Sequence, residues 1–152
     1  SEEKEMNSLQ QVKVVKVTTP AAIVDNAAFT TDAIDTKGWN EALFIVEFGA
    51  MDIAMAALKL TESEDSGMSG AADISGADFS VSPATLPSAT ADNLLFGISV
   101  KLGGNRKRYL DLSATGGDGT AGTYMSVIVV LTKGSESPNT AAEQGFSQCL
   151  YV

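Results

Sequence analysis

Apolar side chains at every second position are the feature that most constrains the fold of this chain. The clearest run places five large apolar residues on one face of a predicted strand: Leu94, Phe96, Ile98, Val100 and Leu102. The residues between them are Leu95, Gly97, Ser99 and Lys101. Because successive side chains of a β-strand point to opposite faces, this run presents one apolar face to a core.

Two further runs have the same period but are nearly apolar on both faces. One run alternates Ala42, Phe44, Val46 and Phe48 with Leu43, Ile45 and Glu47. The other alternates Met125, Val127, Val129 and Leu131 with Tyr124, Ser126, Ile128 and Val130. Strands of this composition are typical of the centre of a sheet, or of a sheet with one face in a subunit contact.

Weaker β patterns occur at 12–17, 33–36, 56–61, 74–81, 109–113 and 148–152. The first of them changes phase between Val14 and Val15, which indicates a bulge. Helix formers at 51–58 leave a helix open there, although the alternation at 58–61 favours a strand, and Thr140 is placed to cap one helical turn. Joints rich in Gly, Asn, Asp and Ser separate the segments. About eight or nine short strands are therefore predicted, in an all-β antiparallel sandwich or barrel.

Length and charge indicate one folded domain. The chain has 152 residues, 44% of them apolar, and a formal net charge of −9. A domain of this size buries enough surface to fold without a metal or a disulfide. We place the domain at residues 12–152 and predict that the polar residues 1–11 form a flexible, extended N-terminal arm, which is either a frayed terminus or a segment that becomes ordered only on a partner. The acidic balance argues against direct contact with nucleic acid, and the apolar runs are too interrupted to span a membrane.

The residue types that common catalytic sites require are missing. The chain has no histidine, which removes serine–histidine and cysteine–histidine nucleophile pairs and histidine-bound zinc. Cys149 is the single cysteine, and we expect it to be a small buried residue near the last strand. No pair of carboxylates stands out as an acid and a base. The sequence therefore predicts no enzyme, no cofactor and no metal site, with a hydrolase built on carboxylates alone as a weaker alternative.

Two loops match ligand-binding motifs only in part. Gly117, Gly119 and Gly122 fit the spacing G-x-G-x-x-G, but a β pattern follows them where a nucleotide-binding loop requires a helix. We therefore predict a plain loop between two strands. The acidic run at 62–66 could offer oxygen ligands to Ca²⁺, but it lacks the EF-hand spacing and is predicted to be a solvated loop.

One local cluster departs from the acidic background. Four of the ten basic residues of the chain lie close together: Lys101, Arg106, Lys107 and Arg108. They could contact an acidic surface of a subunit or partner, pair with the nearby Asp111 and Asp118, or form a solvated strand end.

Five strings in this order resemble a group of small proteins encoded among the structural genes of tailed bacteriophages: "AAIVDN", "DTKG", "DIAMAALK", "RKRYLDL" and "GDGTAG". The resemblance covers about residues 19–131, so it leaves out the N-terminal arm, and it includes no catalytic signature. Several proteins of this kind are similar to head decoration, or cement, proteins, which have a jelly-roll fold and sit as trimers on the capsid exterior.

The resemblance implies a structural virion protein with a jelly-roll-like sandwich, made in the host cytoplasm and carried on the outer surface of the capsid. The implied partners are the major capsid protein and further copies of the chain in a homotrimer. A tail- or fibre-associated component that grips host carbohydrate is the alternative. Trp39, after a Lys-Gly turn, is predicted to be a core or interface anchor. The residues predicted to contact the capsid or a neighbouring subunit are Glu2, Glu3, Glu5, Trp39, Arg106, Lys107 and Arg108.

Overall fold

The computed structural model describes residues 11–18, 23–24, 26–136, 138 and 140–150, with the backbone alone for residues 16, 18, 23 and 24. These residues form ten strands and confirm the predicted all-β class. The strands are β1 Val12–Thr18, β2 Ile23–Val24, β3 Ala28–Thr30, β4 Ile34–Asp35, β5 Glu41–Met51, β6 Ala57–Ser63, β7 Ala72–Asp78, β8 Leu95–Lys101, β9 Tyr109–Thr115 and β10 Thr123–Thr132.

The strands build two antiparallel sheets. The first sheet has the order β1-β10-β5-β8, with β2 also paired to β10, and the second has the order β3-β9-β6-β7, with β4 also paired to β9. β1 and β2 lie one after the other along the same side of β10, and β3 and β4 lie in the same way along β9. Among the described strands, the chain changes sheet after β2, β4 and β5, and again after β7, β8 and β9, whereas β6 and β7 form a hairpin within the second sheet. The result is an antiparallel β-sandwich.

The core lies between the two sheets and follows the alternation in the sequence. The predicted central strands are β5 and β10, and they bury Phe44, Val46, Phe48, Met125, Val127, Val129 and Leu131. The second sheet contributes Leu58, Leu60, Leu110 and Leu112 from β6 and β9. Each large side chain that leaves water stabilises the fold by about 1.5–3 kcal/mol, so these two facing rows hold the sheets together.

Several local predictions differ from the folded chain. Leu94 lies one residue before β8 and is 50% exposed, so it does not join the inward row. The bulge of β1 lies between Lys16 and Thr18, because the pairing with β10 shifts there and not at Val14. No strand forms over residues 148–150, and Cys149, without a strand to carry it inward, is half-buried and not buried.

The segment after β5 forms a strand and not a helix, which confirms the preferred prediction for it. β5 ends at Met51, and β6 begins six residues later. β2 and β3 were not predicted, since two or three residues are too few to show a period. Both are held by longer neighbours, β2 by β10 and β3 by β9.

The helical turn predicted after Thr140 is present. The N–H of Glu143 donates to Thr140 Oγ1, and the N–H of Thr140 donates to the Glu143 carboxylate, both at 3.2 Å. This reciprocal pair is a capping box, and Gly145 ends the turn with a φ of +91°. The N–H of Val14 donates to the carbonyl of Gln144 at 2.8 Å. The turn therefore closes the outer edge of β1.

Candidate functional site

A shallow depression lies at the end of the sandwich where β5 and β9 begin. We call it the basic depression. It has a volume of about 370 Å³, and its lining includes Lys37, Trp39, Arg106, Lys107 and Arg108. The other lining residues are Thr36, Glu64, Leu102 and Gly103. The fold thus brings together four residues that the sequence predicted for contact, although 67 positions separate Trp39 from Arg106.

Ion pairs within the chain hold two of the three consecutive cations. Arg108 donates from Nε and Nη2 to the two carboxylate oxygens of Asp35, both at 2.8 Å. Arg106 donates from Nη1 to Glu62 Oε2 at 2.9 Å. A two-pronged pair fixes the plane of the guanidinium group, so Arg108 has a defined orientation at the rim of the depression.

The pairing suggested with Asp111 and Asp118 is wrong. Asp111 is only 4% exposed and accepts a hydrogen bond from Thr61 Oγ1. Asp118 is exposed in the loop before β10 and joins no ion pair of the described residues. The acids that do pair, Asp35 and Glu62, come from β4 and β6, which flank β9 on its two sides. Sheet pairing, and not nearness in sequence, therefore selects the partners.

Lys37 and Lys107 keep their ammonium groups available. Within the described part of the chain, neither has a carboxylate within 4.0 Å. The backbone N–H of Lys107 donates to Glu62 Oε2 at 3.1 Å, which positions this residue while its side chain stays unpaired. Lys37 is exposed and Lys107 is half-buried. These two cations are the ones that an incoming anionic group can neutralise.

The depression is locally positive in a chain whose net charge is −9. Four cations line it against three carboxylates that line or contact it, Asp35, Glu62 and Glu64, which gives 4 − 3 = +1. The hydrogen bonds from Arg108 hold the pKa of Asp35 at about 2, so this group is a carboxylate at neutral pH. The arrangement can attract an acidic surface, and it offers no nucleophile with an adjacent base.

Trp39 is a half-buried anchor beside these cations. The backbone N–H of Trp39 donates to the carbonyl of Thr36 at 3.1 Å, across a turn in which Gly38 has a φ of +87°. The N–H of Thr36 donates in turn to the carbonyl of Arg108 at 3.1 Å. A Cβ at Gly134 would come within 2.8 Å of the indole ring, so the ring lies directly on this backbone. Trp39 packs against the core as well.

The outward surface of the first sheet is a second candidate contact. Val130 lies beside Leu43 in one register row, and Ile128 lies beside Ile45 two residues along. We call these four residues the apolar face. Leu43 and Ile128 are 38% and 39% exposed, and the other two are half-buried. A contiguous exposed patch of branched apolar side chains on central strands is typical of a protein interface.

The glycine-rich loop folds around a carboxylate of the chain itself. The N–H of Ala121 donates to Asp52 Oδ2 at 2.5 Å, and backbone donors of this loop lower the pKa of Asp52. A Cβ at Gly119 would lie 2.2 Å from Asp52 Oδ1, and one at Gly117 would lie 2.2 Å from the carbonyl oxygen of Ala54. The loop joins β9 and β10 as predicted, and its glycines serve this close internal approach.

The acidic loop between β6 and β7 is also held by internal hydrogen bonds. Asp65 Oδ2 accepts from the N–H of Gly67 at 2.9 Å and from the N–H of Ser69 at 3.2 Å. Ser63 Oγ donates to the carbonyl of Ser69 at 2.6 Å. In the described ranges, no group of three or more Cys, Asp or Glu side chains is arranged to hold a metal ion.

Three of the residues predicted to contact the capsid, Glu2, Glu3 and Glu5, lie outside the described residues. Lys37 was overlooked, although it stands two residues before Trp39 in the Lys-Gly turn, and a cation beside an anchor residue was the available signal.

No protein-family model matches the chain, and a search of curated proteins finds no match. Within the described residues, no helix is long and apolar enough to cross a membrane.

Proposed function

We propose that this chain is a structural virion protein of a tailed bacteriophage, a decoration or cement protein that binds the outer surface of the major capsid protein shell and stabilises the head. It acts as a homotrimer, with no enzymatic activity or cofactor and no direct contact with nucleic acid or membrane. The five strings that resemble phage structural proteins support this role. The β-sandwich is the kind of rigid scaffold that such a role requires.

The observation that carries the proposal is the apolar face. A sandwich needs one apolar side per sheet to form its core, so an antiparallel sheet can leave its other side polar. Here Leu43, Ile45, Ile128 and Val130 occupy the other side of the two central strands. Branched apolar groups in that place stabilise contact with another protein and contribute nothing to the core of one chain.

The basic depression supplies a second kind of contact. Lys37 and Lys107 suit an acidic region of the shell surface, and the net charge of −9 keeps the free protein soluble until it reaches the shell. Single surface charge pairs contribute less than about 1 kcal/mol. Three linked copies multiply such modest contacts, because after the first copy binds the others act at a high effective concentration.

Binding to shells tests the proposal. Purified chain is mixed with heads of the phage that encodes it, prepared without the chain, and bound protein is measured by sedimentation. We expect saturable binding at fixed sites, a free protein with the mass of three chains by light scattering, and heads that lose their DNA at a higher temperature when decorated. Absence of binding to heads would overturn the proposal.

The alternative, a tail- or fibre-associated component that grips carbohydrate, predicts a different result in the same experiment. Its support is Trp39, the one tryptophan of the chain, in an open depression. It requires binding to immobilised host glycans and recovery of the chain with tails and not with heads.

A further inference from the structure

Among the described residues, β8 is an edge strand that pairs with β5 alone, and no hydrogen bond to its outward backbone groups is found there. The N–H of Phe48 donates to the carbonyl of Leu94 at 3.1 Å, and the N–H of Leu102 donates to the carbonyl of Asn40 at 2.8 Å. The even-numbered residues of this segment therefore face β5, because backbone groups alternate in direction along an antiparallel pair. The N–H and C=O groups of the odd-numbered residues 95, 97, 99 and 101 point away from the sheet.

The other sheet edges are interrupted or already bonded along their length, whereas the only protective feature of β8 is the charge of Lys101 at its end. The N–H of Val14 in β1 already donates to Gln144. β7 has a register shift opposite Lys59 and Thr61, and Gly76 within it has a φ of +84°. The edge of β3 and β4 is interrupted. β8 instead pairs over all seven residues without a shift, and natural proteins rarely leave so regular an edge uncovered.

The outward side chains of β8 leave the edge accessible. Gly97 and Ser99, at its centre, are small and exposed. Leu95 is 68% exposed at one end, and Lys101 is exposed at the other. Lys101 is the only charged residue of β8. Within the described residues it joins no ion pair, although Glu41 lies opposite it on β5, and its exposed ammonium group can also meet an acid of an added strand.

A cavity of about 220 Å³ opens between the edges of the two sheets, beside β8. Apolar residues share its wall with polar ones; the lining consists of Gly76, Ala77, Asp78, Phe79, Ala84, Gly97, Ile98 and Ser99. The ring of Phe79 packs edge to face on Phe96, with 5.7 Å between ring centroids. A strand added to β8 would direct every second side chain toward this cavity and the others toward the apolar face. The site therefore suits a segment whose central side chain has an apolar body and a polar end.

We propose that β8 accepts an extended segment of the major capsid protein as the next strand of the first sheet, a proposal that rests on the proposed function. Backbone donors and acceptors supply the affinity, and the cavity accepts one side chain of the segment between Phe79 and Asp78. An acidic residue of the segment lies opposite Lys101. The β8 strand of a second copy is not the occupant, because two identical antiparallel edges pair about a two-fold axis, which a three-fold trimer lacks. Pairing with a different segment of a neighbouring copy is an outcome that the test below distinguishes.

A proline substitution tests strand addition with little change to the fold. Ser99→Pro removes an outward N–H that bonds to nothing in β5, whereas Ser99→Thr keeps it and serves as the matched control. In sedimentation with undecorated heads, we expect the proline variant to bind at least about tenfold more weakly and the threonine variant within about twofold of the wild type.

Hydrogen exchange provides a second measurement that needs no variant. On binding of the wild type to heads, the amides of residues 95, 97, 99 and 101 should gain protection, while those of 96, 98 and 100 are already protected by β5. If the wild type binds but these amides stay unprotected, or a folded Ser99→Pro variant binds as tightly, strand addition is wrong and the proposed function stands. If Ser99→Pro lowers the mass of the free oligomer, the occupant is another copy and the proposal is overturned. If the wild type does not bind heads, both proposals fail.

Discussion

The carboxylate of Asp35 accepts two hydrogen bonds of 2.8 Å from the guanidinium group of Arg108, across 73 positions of the sequence. Asp35 lies at the end of β4, and Arg108 stands immediately before β9, so the pair joins the two strands where their ladder begins. The pair also orients one wall of the basic depression, which links the stability of this end of the sandwich to the shape of its candidate contact.

We expect this pair to stabilise the fold at neutral pH and to lose its effect in acid. Arg108 lowers the pKa of Asp35 from 3.8 to about 2, so the folded chain takes up this proton less readily than the unfolded chain. The contribution is present above pH 4 and disappears as the pH falls through about 2. Because the Asp35 side chain is 48% exposed, we expect Asp35→Asn to lower the free energy of unfolding at pH 7 by less than about 1 kcal/mol.

Urea unfolding at pH 7 and at pH 2 measures this difference between the variant and the wild type. Asp32→Asn is the control, because Asp32 is exposed and takes part in no ion pair of the described residues. A difference for Asp35→Asn that is as large at pH 2 as at pH 7 would contradict the assignment.

We expect the buried hydrogen bond from Thr61 to Asp111 to stabilise the fold more than the exposed pair of Asp35 and Arg108 does. Both residues are under 10% exposed and lie on neighbouring strands of the second sheet. Thr61→Val keeps the shape of the side chain but leaves the carboxylate with one donor fewer, which we expect to cost about 1–3 kcal/mol in the free energy of unfolding. Thr115→Val on β9 is the control, since no hydrogen bond of its hydroxyl is found among the described residues. Equal losses for the two variants would show that the bond contributes nothing of its own.

Gly145 should tolerate no side chain. A Cβ there would lie 1.6 Å from the carbonyl oxygen of Val14, and the φ of +91° adds backbone strain. We expect Gly145→Ala to release the turn from β1 and to lower the free energy of unfolding by at least about 2 kcal/mol. Gly70→Ala, where φ is +64° but nothing lies within 4 Å of the added Cβ, should cost only the strain. We expect the amide of Val14 to exchange faster in Gly145→Ala and at the wild-type rate in Gly70→Ala. Equal exchange rates in the two variants would contradict the prediction.

Strand positions could be predicted from the sequence because burial of one face imposes the period. Phe44, Val46, Val127 and Val129 alternate in the sequence and are fully buried in the fold. The position of the bulge in β1 could not be predicted, because it depends on the register against β10, which closes the sheet from the far end of the chain.

The composition of the basic depression was only partly predictable, for the same reason. Arg106 and Arg108 are conspicuous as a cluster, but their acidic partners stand 44 and 73 positions away. Only the pairing of β9 with β4 and β6 brings those acids near. Local sequence therefore located the cations and could not show which of them stay unpaired.

Lys107 should contribute to binding through charge alone. Its ammonium group has no acidic partner among the described residues, so Lys107→Gln removes a charge without breaking an internal ion pair. We expect head binding to weaken about two- to fivefold at low salt, with a shallower dependence of affinity on salt. Lys59→Gln, on the second sheet, is the control because Lys59 is neutralised by Asp73 at 2.9 Å. A triple alanine change at 106–108 should weaken binding further, but it also breaks two ion pairs. An unchanged salt dependence for Lys107→Gln would tell against a charge-based contact.

The apolar face should determine assembly. Ile128→Lys places an ammonium group at the centre of this face, where its side chain is 39% exposed, so the fold of one chain can accept it. If this face lies between copies or against the shell, burial of the new charge is costly, and we expect loss of the trimer, of head binding, or of both. Thr30→Lys introduces the same charge at an exposed site on β3 of the second sheet and should leave both properties unchanged. Light scattering and head sedimentation separate the two contacts, because a variant that stays trimeric but no longer binds heads assigns the face to the shell. A folded Ile128→Lys variant that is trimeric and binds heads normally would show that the apolar face forms neither contact.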